Sequence, residues 1–228
     1  MTKTIYLMLN DTPSSYSKER LDYLIANKIP AILFCKGNNM EERPEIVAES
    51  IRNGFIIGNH SYTHPHFSQL ELIQCEEEIS KADRIIEEAY YQVSIKRPEK
   101  LFMFPFFDNG TARSVLHKKR LQDVLKNQDY KNLDTSRITY PFFKEEGLHL
   151  SNDVYCTLNF QEWKNPNLDD LLKKIDSPDN LFGGDLSDYT SADLLLMHDN
   201  EKTNPSLFPA IIDKLVARGD ISFELPNF

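Results

Sequence analysis

Cysteine is scarce in this sequence, and the few cysteines form no recognisable set. The 228 residues include only Cys35, Cys75 and Cys156, an odd number at wide spacing. This pattern argues against a disulfide framework and against a cysteine zinc site. Because these cysteines lie inside apolar stretches, we expect three buried, free thiols.

Long apolar runs and an excess of positive charge are also missing. No segment approaches the ~20 consecutive apolar residues that cross a bilayer, and residues 1–10 lack the charged-then-apolar pattern of a secretory signal. The formal net charge is -9, and no run of Lys and Arg interrupts it. That balance argues against nucleic acid and anionic membranes as partners. We therefore predict a cytoplasmic protein that binds neither nucleic acid nor membrane.

What the sequence does contain is an alternation of short apolar segments with helical patterns. The predicted strands are Thr4–Leu9, Ala31–Cys35, Phe55–Ile57, Leu101–Phe104, Val154–Leu158, Leu194–Met197 and Ile221–Leu225. The predicted helices are Tyr16–Asn27, Arg43–Asn53, Leu70–Tyr91, Thr111–Leu125, Leu168–Ile175 and Ser206–Ala217. This alternation indicates an α/β fold with a parallel sheet and helices outside it. We see no repeat and no linker-like segment, so a single domain over residues 1–228, built as a closed or partly closed (β/α) barrel, fits best.

Polar residues follow several of the predicted strands directly. In β/α barrels the chemistry lies where the strands end at their C-terminal side. The groups that meet this condition are Asn10-Asp11, the stretch from His60 to His64, Pro105-Phe106 and His198-Asp199. The segment Lys126–Asn152 carries no clear pattern, and we leave its structure open.

Two histidines and a carboxylate form the most specific candidate set. His60 and His64 are four residues apart, a spacing that would put both imidazoles on one face of a helical turn. With Asp11 they make a donor set typical of catalytic divalent metals, zinc foremost. The plainer alternative is two histidines in an ordinary turn, with Asp11 as a turn or capping residue before Thr12-Pro13.

The motifs around these residues resemble those of the polysaccharide deacetylases, which contain the NodB homology domain and form carbohydrate esterase family four. Gly54–Pro65 is similar to the histidine motif of that family almost residue for residue. Leu9–Pro13 is similar to its first motif, and Leu194–Asp199 to its last. The resemblance runs through nearly the whole chain in the right order. It implies a distorted, partly closed (β/α) barrel and hydrolysis of the acetamide group of N-acetylated sugars in chitin or peptidoglycan, or of acetyl groups on xylan.

The resemblance also implies roles for individual residues. By this match Asp11, His60 and His64 bind the metal, and His198 is the general acid that protonates the leaving amine. Leu196 and Trp163 would line the pocket for the acetyl methyl group, and Pro105 and Phe106 the wall of the substrate groove.

The sequence departs from the family at the catalytic base. Asn10 stands where the family has an Asp, and a neutral amide cannot accept a proton from water. Met103 stands where the family has the Arg that pairs with that Asp. The joint loss is physically consistent, because an unpaired buried Arg would be costly. In the fourth motif, Asn159 replaces an Asp and Glu162 is a longer acid.

These departures leave more than one function open. The first is an active deacetylase with altered base chemistry, in which His198 serves as base and acid, or a carboxylate such as Glu162, Asp108 or Asp199 substitutes for the base. The second is a pseudoenzyme that binds metal and carbohydrate without turnover. A third is a hydrolase for another small amide or ester, which would suit a cytoplasmic protein.

Overall fold

The computed structural model of the chain describes residues 1–164, 167–176 and 182–227. Its strands are β1 (Lys3–Thr12), β2 (Ala31–Cys35), β3 (Ile56–Asn59), β4 (Leu158–Asn159), β5 (Asp193–His198) and β6 (Ile221–Phe223). Its helices are α1 (Ser17–Ala26), α2 (Gly37–Glu42), α3 (Pro44–Arg52), α4 (Leu72–Gln92), α5 (Val115–Asn127), α6 (Pro141–Glu145), α7 (Leu168–Asp176) and α8 (Leu207–Ala217). No helix in the described ranges is long and apolar enough to cross a membrane.

The strands form a parallel sheet in the order β3-β2-β1-β5-β4, with β6 beside the start of β1. β1 is central and buried along nearly its whole length. That burial explains the unbroken apolar run Ile5–Leu9, because a parallel strand covered on both faces needs apolar residues on both. The prediction of an α/β fold with a parallel sheet is confirmed, and the sheet does not close completely.

The open side of the sheet is bridged by irregular chain. Leu101–Phe104, which was predicted to be a strand, is extended but pairs with β3 only through a bridge between Asn59 and Phe102. Pro105, which has no N–H to donate, ends this pairing at once. On the far side of the segment, Val154 N donates to Phe102 O at 2.7 Å. The result is the distorted, partly closed barrel that the sequence predicted.

Two apolar layers lie on opposite faces of the sheet. The barrel interior holds one cluster, which includes Tyr6, Met8, Ile32, Phe34, Leu194 and Leu196. The other face packs against helices through Leu7, Leu9, Leu33, Ile57, Leu195 and Met197, together with residues of α1, α3, α7 and α8. The strict alternation between these two layers decides which side chains point into the barrel mouth.

Several element boundaries differ from the prediction for local reasons. α5 begins at Val115 rather than Thr111, because the Ser114 hydroxyl accepts from His117 N and caps the helix there. Pairing with β5 places β4 at Leu158–Asn159 instead of Val154–Leu158. The three cysteines are buried and free, as expected.

Candidate metal centre and active site

Asn10 and His198 lie side by side at the ends of the neighbouring strands β1 and β5. Met8 and Leu196 belong to the interior cluster, and residues two positions further along a strand point to the same face. Asn10 and His198 are also direct partners in the β1–β5 register. The ends of the two central strands therefore bring these side chains together, as their positions after predicted strands indicated.

Asp11 owes its position to a bulge at the end of β1. The β1–β2 register pairs Asn10 with Phe34 and Thr12 with Cys35, so that Asp11 has no partner. Its φ of 67° lies in the left-handed region. A bulge of this kind re-aims a side chain at the rim of a barrel. The carboxylate can thus face the histidine loop although its neighbour Asn10 points to the barrel interior.

His60 and His64 lie on an irregular loop, so the predicted helical turn is wrong. Ser61 and His64 both have positive φ, at 64° and 65°, which no α-helical turn contains. The loop is held instead by Ser61 N donating to Asn59 Oδ1 at 2.8 Å and by His64 N donating to Ser61 Oγ at 3.0 Å. The two imidazole rings still meet, with their centroids 4.8 Å apart.

The three predicted ligands converge on one point. Asp11 Oδ1 lies 3.2 Å from His64 Nε2 and 3.8 Å from His60 Nε2, and the ligand atoms all fall within 4.8 Å of one another. His60 Nδ1 is 2.7 Å from the carbonyl oxygen of Met103, a second contact typical of metal-binding histidines. Asp11 Oδ1 is buried and accepts no hydrogen bond from any described residue. These features fit a divalent cation coordinated by one carboxylate and two imidazoles.

The charge states of Asp11, His60 and His64 also suit metal binding. Burial lowers the pKa of His60 to about 3 and also lowers the pKa of His64. Burial raises the pKa of Asp11, but the charges of His60, His64 and His198 outweigh that effect and lower it overall. At neutral pH the imidazoles are neutral and the carboxylate is charged, which are the forms that ligate metal.

His198 forms a close pair with Glu162, the acid of the fourth motif. Glu162 Oε1 accepts from His198 N at 2.5 Å and lies 3.1 Å from His198 Nδ1. Only 2% of Glu162 is exposed. Burial lowers the pKa of His198, but the carboxylate beside it outweighs burial and raises that pKa above its ordinary value. Since Nδ1 is engaged, Nε2 is the ring nitrogen left for exchange with a substrate.

The predicted base position, Asn10, forms a neutral pair with Met103. Asn10 Nδ2 donates to Met103 Sδ at 3.1 Å, and Asn10 Oδ1 is buried without a hydrogen-bond partner among the described residues. The position therefore offers an acceptor oxygen but no group that can take up a proton at neutral pH.

Two of the carboxylates proposed as substitutes for the base are already engaged in ion pairs or hydrogen bonds with other residues. Asp199 is 1% exposed and pairs with the buried Arg20, while also accepting from Ser14 and Ser17. Asp108 accepts from the backbone and hydroxyl of Ser68 at 3.0 and 2.6 Å. Both acids hold loops together, so the structure speaks against either one as the base.

The predicted substrate-contacting residues border the centre in different ways. The exposed Phe106 ring lies 4.5 Å from the His64 ring between centroids, and Trp163, 46% exposed, lies 6.0 Å from the His198 ring. Pro105 is buried beneath Phe106 in a short 3-10 turn. Leu196 is fully buried in the barrel interior, on the same face as His198. Their roles as pocket and groove residues remain predictions.

Sequence reasoning missed two polar residues at this centre. Asn200 Nδ2 donates to Asp11 Oδ2 at 3.3 Å. Lys36 follows β2 directly, and its backbone N donates to Thr12 O at 2.9 Å. The rule that chemistry follows strand ends would have singled out Lys36, whereas nothing in the sequence links Asn200 with Asp11.

Solved structures share this fold. A family 4 carbohydrate esterase from Streptomyces lividans, in complex with acetate, superposes with a TM-score of 0.68 at 22% identity, over 98% of this chain and 92% of that chain. A pseudoenzyme of the same esterase family from Bacillus anthracis superposes with a TM-score of 0.65 at 19% identity, over 96% of this chain and 63% of that chain.

Curated relatives match a shorter part of the chain. A chitooligosaccharide deacetylase from Bradyrhizobium sp. (strain ANU 289) is 30% identical over 89 residues, which are 39% of this chain and 41% of the relative. The peptidoglycan-N-acetylmuramic acid deacetylase PdaA from Bacillus subtilis (strain 168) is 32% identical over 89 residues, which are 39% of this chain and 33% of the relative. The match thus spans well under half the length of these relatives. The polysaccharide deacetylase family model matches residues 1–132, which include β1 and the histidine loop, and the chain belongs to the polysaccharide deacetylase family.

Proposed function

We propose that this protein is a metal-dependent amide hydrolase that removes the acetyl group from an N-acetylated sugar or oligosaccharide. The observation that carries the proposal is the His198–Glu162 pair, which stands at the barrel mouth with the Asp11–His60–His64 set. A protein that only binds carbohydrate has no need of a histidine whose pKa a buried carboxylate raises.

Asp11, His60 and His64 would hold the metal, and zinc is the ion that their donor atoms favour. A bound divalent ion would polarise the amide carbonyl and make the attacking water more acidic. Met103 O keeps the His60 ring in place, and Asn200 does the same for the Asp11 carboxylate. The chain's contribution at this point is to present three ligands in their deprotonated forms.

His198 then carries both proton transfers. As water attacks, its proton passes to His198 Nε2 while the new C–O bond forms. The same proton moves to the amide nitrogen as the C–N bond breaks, which gives acetate and a free amine. Glu162 stabilises the imidazolium that exists between the two transfers. Asn10 Oδ1 can accept a hydrogen bond from the water and orient it without taking its proton.

The second candidate is a pseudoenzyme that binds metal and carbohydrate without turnover. The neutral Asn10–Met103 pair favours it, because both halves of the family's charge pair are missing. One structural neighbour is described as a pseudoenzyme of this esterase family, and a mutant of that neighbour is described as having restored enzymatic activity. A loss of turnover that leaves the fold intact is therefore a known outcome among proteins of this fold.

The substrate class follows from the relatives and from the rings beside the centre. The relatives include deacetylases of chitooligosaccharides and of peptidoglycan. The exposed Phe106 and Trp163 give flat apolar surfaces for a sugar ring. We further propose a cytoplasmic location, where soluble oligosaccharides or another small amide or ester would be the available substrates.

Acetate release from N-acetylglucosamine oligomers tests the proposal. Zinc-loaded protein should release acetate, and chelator-treated protein or an Asp11→Asn variant should not. Acetylated small amides and esters run in parallel decide between sugar and non-sugar substrates. Zinc binding without acetate release from any of these compounds would favour the pseudoenzyme.

A further inference from the structure

Lys36 lies between the two loops that carry the candidate metal ligands. Its backbone N donates to Thr12 O at 2.9 Å, next to Asp11, and the following Gly37 N donates to Ser61 O at 2.9 Å in the histidine loop. The backbone of Lys36 is extended, with φ -83° and ψ 134°. The residue is thus fixed at the rim of the barrel.

Strand alternation indicates where the Lys36 side chain points. Phe34 belongs to the barrel interior, and Cys35 to the helix-covered face. Because Lys36 continues the extended backbone, its side chain falls on the same face as Phe34, which is the face that carries Asn10 and His60.

The ammonium group of Lys36 has no counter-ion among the residues that the structure describes. Within the described ranges, no carboxylate lies within ion-pair distance of it and no side chain accepts from it. In the part of the chain that the structure describes, the buried cations Lys3, Arg20 and Arg97 are paired with Asp193, Asp199 and Asp83, respectively. An unpaired, partly buried charge is costly, and a cation beside a divalent metal adds repulsion. An anion placed between the two would relieve both costs.

The balance of charges around the centre favours the binding of such an anion. Asp11 and Glu162 are the carboxylates that contact the centre, and each is engaged with a histidine. Asn10 contributes no charge where the family has a third carboxylate. A divalent ion at this centre and Lys36 would then outweigh the charges of the two carboxylates, in a chain whose formal net charge is -9.

We infer that Lys36 forms an anion subsite beside the metal centre and that the preferred substrate carries a carboxylate or phosphate close to its acetamide group. The role of the acetamide rests on the proposed function. The binding of the anion does not, because it needs Lys36 and a bound divalent ion but no turnover. Lys36 would be a specificity-determining residue that contacts substrate without taking part in proton transfer.

Binding measurements on the zinc-loaded chain test this inference by calorimetry. The probes are N-acetylglucosamine (neutral), N-acetylmuramic acid (carboxylate) and N-acetylglucosamine 1-phosphate (phosphate), and in both anionic probes the charged group is attached to a carbon next to the one that carries the acetamide. The variants are Lys36→Met, Lys36→Gln and, as a matched control, Lys126→Met at the exposed far end of α5. Thermal unfolding of each variant shows that it is folded.

Wild type should bind at least one anionic probe about tenfold more tightly than the neutral one, the effect of one charge-assisted hydrogen bond. Lys36→Met and Lys36→Gln should remove that preference and leave the neutral sugar unaffected, and Lys126→Met should change nothing. Comparison of the carboxylate probe with the phosphate probe shows which anion the protein binds more tightly. Equal binding of neutral and anionic probes by wild type would overturn the inference. A preference for anionic probes that survives in both Lys36 variants would also overturn it, because the metal alone would then explain that preference. Acetate release from the neutral sugar, assayed separately, reports on the proposed function alone.

Discussion

The side-chain nitrogen of Asn10 lies 3.1 Å from the sulfur of Met103, at the place where the family resemblance puts a carboxylate and a guanidinium. The two substitutions are thus in contact, and each makes the other tolerable. A carboxylate at position 10 would face a thioether, and a guanidinium at position 103 would face an amide; either charge would be buried without a partner. The resemblance thus implies that both members of the charge pair are replaced together.

Restoring both members of the pair should raise the rate of acetate release. Asn10→Asp alone buries a carboxylate without the family's counter-charge, which raises its pKa and leaves more of it protonated, and so unable to accept a proton, at neutral pH. Asn10→Asp combined with Met103→Arg supplies the counter-charge, and we expect an increase of about 10²-fold or more in kcat. Met103→Arg alone is the control and should lower the unfolding temperature without raising the rate. A double variant that folds, binds zinc and is no faster than wild type would show that position 10 is not the base position.

The pH profile distinguishes His198 acting as a base from His198 acting only as an acid. In wild type His198 must be neutral to accept the water proton, so kcat/KM should rise with pH and level off above its raised pKa. With Asn10→Asp and Met103→Arg, His198 works in its protonated form, and kcat/KM should fall above that pKa. An alkaline decline in wild type would contradict the proposed double role.

Asn200 should strengthen metal binding through Asp11. Its amide donates to Asp11 Oδ2, and loss of such an outer contact typically costs about 10–100-fold in metal affinity. We expect that loss for Asn200→Ala in zinc titrations by calorimetry. Thr203→Val is the control, because it removes a different hydrogen bond to Asn200 and leaves the Asp11 contact in place. Equal zinc affinity in wild type and Asn200→Ala would show that the contact is incidental.

Asp199 should matter for stability, although it neighbours His198. Asp199→Asn leaves the buried Arg20 without its charge partner, and we expect a loss of about 3–5 kcal/mol in the free energy of unfolding in urea. Asp22→Asn is the comparison, since the Lys18–Asp22 pair is exposed and solvent screens it, so that its loss should change the free energy of unfolding little. If Asp199→Asn lowers the free energy of unfolding no more than Asp22→Asn does, Asp199 would again be a candidate for the catalytic base.

The sequence predicted the parts of the centre that follow from strand periodicity. Asn10, His60 and His198 end or directly follow strands whose apolar pattern was plain, and parallel strands bring their carboxyl ends to one edge. Asp11 needed a bulge, and the histidine loop needed positive φ at Ser61 and His64. Non-glycine residues seldom adopt that conformation, so the spacing of the histidines predicted that the side chains meet from a wrong local geometry.

Contacts between segments that are far apart in the sequence could not be predicted from the sequence. Asn200 with Asp11 and Arg20 with Asp199 join residues that are 189 and 179 positions apart. Such pairs depend on how helices and loops pack on the sheet. The same limit explains why Asp199 was considered a substitute base: its neighbour His198 is visible in the sequence, and its partner Arg20 is not.

The most direct test of the proposed function compares wild type with His198→Ala and Glu162→Gln at equal zinc occupancy. The measurement is the rate of acetate release from N-acetylglucosamine oligomers, with zinc binding followed in the same samples. We predict turnover by wild type, a fall of about 10²–10⁴-fold in His198→Ala and a smaller fall in Glu162→Gln, with zinc affinity unchanged in all three proteins. Zinc-loaded wild type that releases no more acetate than His198→Ala would contradict the proposal and identify the chain as a binding protein.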